Sequence, residues 1–90
     1  MLEKVTVVEK GADGKLFLDR NRMASGETVS LDADFDYFYF VHSGYGVLMI
    51  DAYGHYIEQG SGIYIPAGTK YTFTNTGDID LVLIQYGSTN

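Results

Sequence analysis

Cysteine and tryptophan are missing from this sequence, proline occurs once and histidine twice. Without cysteine there is neither a disulfide framework nor a thiolate metal site. Small secreted domains commonly lean on disulfides, so their lack points to a cytoplasmic protein. Basic residues are scarce: six Lys and Arg against twelve Asp and Glu give a formal net charge of −6. A phosphate backbone wants lysine and arginine that this chain lacks, so nucleic acid is not an expected partner. The longest apolar run falls far short of the roughly 20 residues of a membrane span. The first residues, Met1-Leu-Glu-Lys-Val5, enter directly on strand-like alternation, with no basic segment followed by an apolar one. No signal peptide and no membrane partner are read.

What is abundant points one way. Eleven glycines, eight tyrosines and five phenylalanines, with hardly any stretch at a 3.6-residue period, indicate an all-β chain. At 46% hydrophobic the chain is not disordered, and its ninety residues make one domain, 1–90, with a small core. Strands are expected at 4–8, 16–19, 28–31, 35–41, 47–51, 55–58, 63–65, 71–74 and 81–86. Turns are expected at 11–14, 23–27, 43–46, 53–54, 66–68 and 77–78. Eight to ten short antiparallel strands at this spacing suggest a sandwich or closed barrel. Four of the basic residues, Lys10, Lys15, Arg20 and Arg22, crowd into one window, which reads as solvated surface.

Two strands are apolar on both faces. Over 35–41 one face carries Phe35, Tyr37, Tyr39 and Val41, and the other Asp36, Phe38, Phe40 and His42. Over 81–86, Leu81 and Leu83 alternate with Val82, Ile84 and Tyr86. Strands of this kind are buried on both sides, and a barrel this small has no second layer to cover its outside. A homodimer is therefore expected, with Phe38 and Phe40 in its interface. Residues 1–10 are a candidate for exchange with, or packing on, the partner.

The only proline, Pro66, stands between the apolar run Ile63-Tyr64-Ile65 and the alternating Tyr71-Thr72-Phe73-Thr74. Pro66-Ala67-Gly68 is a corner, because proline fixes one torsion and glycine permits the positive φ that turns the chain back. The spacing Gly60-x5-Pro66-x-Gly68-x2-Tyr71-x3-Asn75 resembles the second signature of the cupin superfamily. Gly44-Tyr45-Gly46, preceded by Tyr39-Phe40-Val41-His42, is similar to the end of the first signature, and Gly26-Glu27 to the strand opening before it. The resemblance covers about 26–84 and implies a double-stranded β-helix, a jelly-roll barrel with the site inside.

The same resemblance implies a metal held by three histidines and a glutamate, and here the residues depart from it. Tyr71 stands where the second signature has histidine. Counting back from Gly44 puts Tyr37 at the glutamate; counting forward from Gly26 puts Asp32 and Asp34 near the paired histidines. Neutral phenols are poor ligands for first-row divalent metals, so no metal and no cofactor is expected. Asp32, Asp34 and Asp36 have period 2 and on a strand would share one face. A calcium loop would want glycine and glutamate where Tyr37 and Ser43 stand, so a solvated strand edge is the plainer reading. Tyr37, Tyr71 and His42 are the candidate acid–base groups, although a phenol near its ordinary pKa of roughly 10 suits neutral chemistry poorly. The two tyrosines are expected to plug the barrel and bond to each other or to water. His42 is expected to point outward, His55 to be solvated, and Lys70 to point away from Tyr71.

Three functions follow as expectations. The first is a metal-free barrel binding a small polar or ring-containing organic molecule, with Asp32, Asp34, Tyr37, Tyr39, Tyr71 and Phe73 as its lining. The second is a metal-independent isomerase, epimerase or dehydratase using tyrosine, histidine or aspartate for proton transfer. The third is a dimerisation module with a plugged barrel; the cupin domain of the centromere protein C family is similar in carrying a tyrosine after the Pro-x-Gly corner. A chain starting at Met1 with no appended binding region argues against the isolated scaffold. A cavity below about 300 Å³ would leave little room for a drug-sized ligand.

Overall fold

Alternation of large apolar and polar side chains along short glycine-bounded strands builds two facing sheets. The computed structural model describes the backbone of residues 3–8 and 16–88 and the side chains of 18–87. Among the described residues there are nine strands: β1 (Glu3–Val8), β2 (Leu16–Met23), β3 (Thr28–Asp32), β4 (Tyr37–Ser43), β5 (Tyr45–Ile50), β6 (Tyr53–Glu58), β7 (Gly62–Ile65), β8 (Lys70–Thr74) and β9 (Leu81–Ser88). One sheet has five strands in the order β1-β2-β9-β4-β7, the other four in the order β3-β8-β5-β6. Every pairing is antiparallel. The expected jelly-roll barrel is what the chain forms. The turn read at 11–14, with Lys10 and Lys15, lies outside the described residues. β1 pairs with β2 of its own chain.

The core lies between the sheets. Met23 from β2, Tyr39 and Val41 from β4, and Leu81 and Leu83 from β9 face Leu48 from β5 and Tyr71 and Phe73 from β8, all almost fully buried. Each such side chain contributes roughly 1.5–3 kcal/mol by leaving water. Around this core the chain is pinned by Asn75. Its Nδ2 donates to the carbonyls of Met23 (3.0 Å) and Ile79 (2.8 Å), and its Oδ1 accepts from the Gly77 amide at 3.0 Å. The side chain thus satisfies backbone groups that would otherwise be buried unpaired.

Corners follow the glycines in two places that matter for the site. At Pro66-Ala67-Gly68-Thr69 the Thr69 amide donates to the Pro66 carbonyl (3.3 Å) and Gly68 has φ 88°. The same corner is stitched to the chain before β4, because Gly68 N donates to Ala33 O (2.8 Å) and Ala33 N to Thr69 O (2.9 Å). Gly44, φ 85°, carries the chain from one sheet to the other; a Cβ there would stand 2.5 Å from the Asp80 carbonyl oxygen.

Four expectations about the strands need correction. β2 continues to Met23 rather than stopping at residue 19, since its pairing with β9 runs on to Met23 opposite Leu81. Its inward residues Asp19 and Asn21 are polar and its outward Arg20 and Arg22 charged, so the sequence shows no apolar alternation there. β4 starts at Tyr37, because Phe35 and Asp36 belong to the bend before it. The hairpin between β5 and β6 turns at Asp51-Ala52, not at Tyr53-Gly54; Asp51 takes φ 55°, which aspartate tolerates better than most residues. Gly54 instead lies within β6, where a Cβ would press on the Met49 sulfur at 3.0 Å. Lastly, Tyr45 and Gly46 are part of β5 rather than of the turn.

Candidate ligand cavity

Between the two sheets lies a cavity of about 200 Å³. β4 sends Tyr37 and Tyr39 into it, β8 Tyr71 and Phe73, and β2 and β9 the amides Asn21 and Gln85. Met23, Val29, Leu31 and Leu83 supply apolar wall, and Asp32 and Asp34 complete the lining. Both aspartates are exposed, so they mark the mouth.

The aromatic side is tightly organised. The hydroxyls of Tyr39 and Tyr71 share a hydrogen bond of 2.7 Å. Their rings stand edge to face, with centroids 5.9 Å apart, and both abut Phe73, at 5.0 Å for Tyr39 and 5.7 Å for Tyr71. Tyr37 meets Tyr39 at 6.4 Å. Tilted and edge-on contacts of this kind place positive ring edges against negative faces. Burial pushes the Tyr39 phenol far above its ordinary range, and its bond to Tyr71 and the nearby Tyr37 and Asp19 add to that. Tyr71 is also raised, first by burial and then by Tyr37, Asp34 and Asp32, with the hydrogen bond to Tyr39 opposing. Both groups therefore stay protonated at neutral pH. Tyr71 was expected to bond to Tyr37 or to water; its hydroxyl bonds to Tyr39.

The opposite wall is polar, and the sequence reading missed it. Asn21, only 3% exposed, donates from Nδ2 to Gln85 Oε1 at 3.1 Å. Asn21 Oδ1 is buried with no hydrogen-bond partner in the protein. Asp19 is buried beside them, paired in register with Gln85. The available signal was the polar residue ending the inward face Leu81, Leu83, Gln85, and the alternation of Asp19, Asn21 and Met23.

The remaining predicted residues fall elsewhere. Asp32 closes β3, while Asp34 and Asp36 lie in the bend after it, so the three do not share a strand face. Asp36 accepts from the Ala67 amide at 2.8 Å and ties down the proline corner. His42 is exposed on the outer side of β4 at a register shift between Val41 and Ser43, and takes no part in the cavity. Phe38 and Phe40 also point outward, 44% and 38% exposed. His55 and Lys70 are exposed. Gly44, Gly60, Pro66, Gly68 and Asn75 stand at corners and anchors, not in the lining.

Two open clefts lie beside the cavity, the first sharing Leu31, Asp32 and Tyr71 with it. One of about 560 Å³ runs along the outward face of the four-stranded sheet past Ser30, Asp32, Met49, Asp51, Lys70 and Thr72; apart from the half-buried Thr72 these residues are exposed. Another of about 430 Å³ opens between β6 and β7 over Leu48, Ile50, Ile57 and Ile63. Neither is lined by Tyr39 or by the buried amides Asn21 and Gln85, so the smaller cavity is the better candidate site.

Residues 34–85 match the family described as the cupin domain, Cupin_2. The chain belongs to the cupin family. Solved structures agree on the fold. A cupin superfamily protein from Desulfitobacterium hafniense superposes with a TM-score of 0.83 at 14% identity, covering 100% of this chain and 79% of that one. The Cnp3 cupin domain of Schizosaccharomyces pombe gives 0.87 at 13% identity, covering 99% of this chain and 61% of that one. A predicted oxalate decarboxylase from Thermotoga maritima gives 0.82 at 19% identity, with 94% and 77% covered. At these identities the likeness shows the fold alone. No curated protein matches the chain.

Cupin barrels as a family imply a metal, and the donor set here does not fit one. The groups facing the cavity are phenols, carboxamides and two carboxylates at its mouth. Among the described residues no three His, Cys, Asp or Glu side chains come together as a cluster able to hold a metal ion. Divalent first-row metals want imidazole, thiolate or converging carboxylates. Among the described residues no helix is long and apolar enough to cross a membrane.

Proposed function

We propose that this cupin binds a small polar or ring-containing organic molecule in its tyrosine-lined cavity, without a metal. The observation that supports it best is the buried Tyr39–Tyr71 hydroxyl pair facing a buried amide pair across an otherwise apolar space. Apolar walls with a few convergent polar groups are what small-molecule sites require. The volume narrows the ligand. About 200 Å³ is below the usual range of drug-sized pockets, yet a dry cavity of about 150 Å³ suffices for benzene. One ring with few substituents fits.

Proton-transfer chemistry is less well supported. Both buried phenols are driven away from neutral pKa values, whereas a general acid or base works best near the operating pH. Native mass spectrometry of freshly purified protein tests the proposal. The expected spectrum shows a retained or readily added organic ligand and no metal; one equivalent of iron, manganese or zinc per chain would overturn it.

A second reading, a cytoplasmic dimerisation module, is favoured by the outer face of the five-stranded sheet. Phe40 pairs with Ile84, and Phe38 with Tyr86 and Tyr64, which makes one apolar strip across three strands. The Phe38 and Tyr86 rings are 6.2 Å apart. Arg20 and Arg22 flank the strip on β2, while Asp36 lies beside Tyr64 on the far side. A two-fold-related copy would set these opposite charges together, so the occupant proposed is a second copy of this chain. Dimerisation is compatible with ligand binding.

A further inference from the structure

Resting on the cavity reading above, we propose that the site selects a compact organic cation, one ring carrying an ammonium group, with Asp32 and Asp34 at the mouth holding the charge. The part of the lining that a ligand reaches decides this. Asp32 and Asp34 are exposed, and Val29, Leu31 and Tyr37 beside them are half-buried. Among the described residues that line the cavity there is no lysine, arginine or histidine, so its only formal charges are these two carboxylates. A concave space bordered by charge of one sign, with apolar walls behind it, concentrates the field on an entering ion.

The mouth is held in place by the fold. Asp32 and Asp34 flank Ala33, which is buried and whose backbone is bonded both ways to the proline corner: its N–H donates to Thr69 O and its carbonyl accepts from Gly68 N. Lys70 stands opposite Asp32 across the β3–β8 pairing, and it lines the outer cleft rather than the cavity. It offsets part of the charge of Asp32, whereas Asp34 lies beyond that pairing and is the stronger anchor. The phenols register the same field. Burial is the main reason both are raised, and carboxylates add to it, Asp19 for Tyr39 and Asp34 with Asp32 for Tyr71.

Other ligand classes meet this lining less well. A carboxylate or phosphate would give up water, find no counter-charge and approach two like charges. A neutral ring would gain only the apolar contact. A cationic ring gains that contact with Val29 and Leu31, the attraction of the carboxylates, and in Tyr37 an aromatic neighbour of the kind cations favour. The volume of about 200 Å³ limits the molecule to one ring and few substituents.

Cyclohexylammonium, cyclohexanol and cyclohexanecarboxylate share a ring and differ in charge, so they make the test without altering the protein. Amide chemical shifts of the full chain are followed by NMR at neutral pH during titration with each. The ammonium is expected to bind about tenfold tighter than the alcohol, the scale of two partly screened charge contacts, and the carboxylate weakest. Added salt should weaken the ammonium and leave the alcohol unchanged. In the variant carrying Asp32→Asn and Asp34→Asn the preference for the ammonium should vanish while cyclohexanol still binds. Cyclohexanol binding as tightly as the ammonium, the carboxylate binding tightest, or a preference that survives in the variant overturns the selectivity and leaves the cavity reading standing. Ammonium shifts found only outside the lining, with the alcohol still shifting it, do the same. If none of the three shifts the amides of Leu31, Tyr37 or Tyr71, the cavity reading fails and this inference with it. Should the variant not fold, the salt series on the unaltered chain decides the matter.

Discussion

Tyr71 occupies the position where the cupin pattern has a histidine ligand, and the structure gives it a different task. It shares its hydroxyl with Tyr39 inside the barrel. Replacing either residue by phenylalanine strands one buried hydroxyl, so Tyr39→Phe should lower unfolding free energy by about 1–2 kcal/mol in urea titrations. The pH dependence has a definite sign. Burial raises the folded-state pKa of both phenols above the unfolded value of about 10. Their contribution is fully present below about pH 10 and is lost as pH climbs toward the folded values. These two groups should therefore add no pH dependence to stability near neutral pH, and stability should fall in strong alkali. Phenolate absorbance of Tyr39 should emerge only with unfolding, and Tyr39→Phe should soften the alkaline decline. That Tyr37, Tyr39, Tyr71 and Phe73 face inward was legible from strand alternation. Asn21 and Gln85 were not, because an inward amide looks like a solvated one until its strand is paired on both sides. Nor was the Tyr39 partner of Tyr71 legible, since alternation gives a face and not a distance.

The glycine corners separate at the level of elements. Gly44 and Gly68 both hold positive φ, but only at Gly44 is the Cβ position occupied, by the Asp80 carbonyl. Gly68→Ala should cost about 1 kcal/mol, the conformational term alone. Gly44→Ala adds a backbone clash and should cost at least twice that, about 2–4 kcal/mol, in the same denaturant assay. Asn75→Ala removes three hydrogen bonds to buried or half-buried backbone, and a loss of about 2–4 kcal/mol is expected. These anchors were readable as spacing, Gly60-x5-Pro66-x-Gly68 and Asn75, because turn chemistry is local. Strand ends were less readable. β2 extends past its expected end because β9 holds it, a long-range pairing that Asp19 to Arg22 do not advertise. The turn between β5 and β6 was displaced for a related reason: Gly54 is a glycine under Met49, not a hinge.

For the whole molecule, the outward strip of Phe38, Phe40, Ile84 and Tyr86 is the feature on which the proposed partner copy rests. Sedimentation is expected to give about twice the 10.0 kDa chain mass, and Phe38→Asp with Phe40→Asp should return the monomer without unfolding it. The central claim is that a cupin barrel lacking a fitting metal donor set uses its small cavity to hold an organic ring. NMR fragment binding in chelator-treated buffer tests it most directly, using molecules of fewer than about ten heavy atoms. The account predicts saturable shifts centred on the amides of Asn21, Tyr39, Tyr71 and Gln85 with chelator present. Binding that appears only after iron, manganese or zinc is restored, or shifts confined to the outer faces of the sheets, would contradict it.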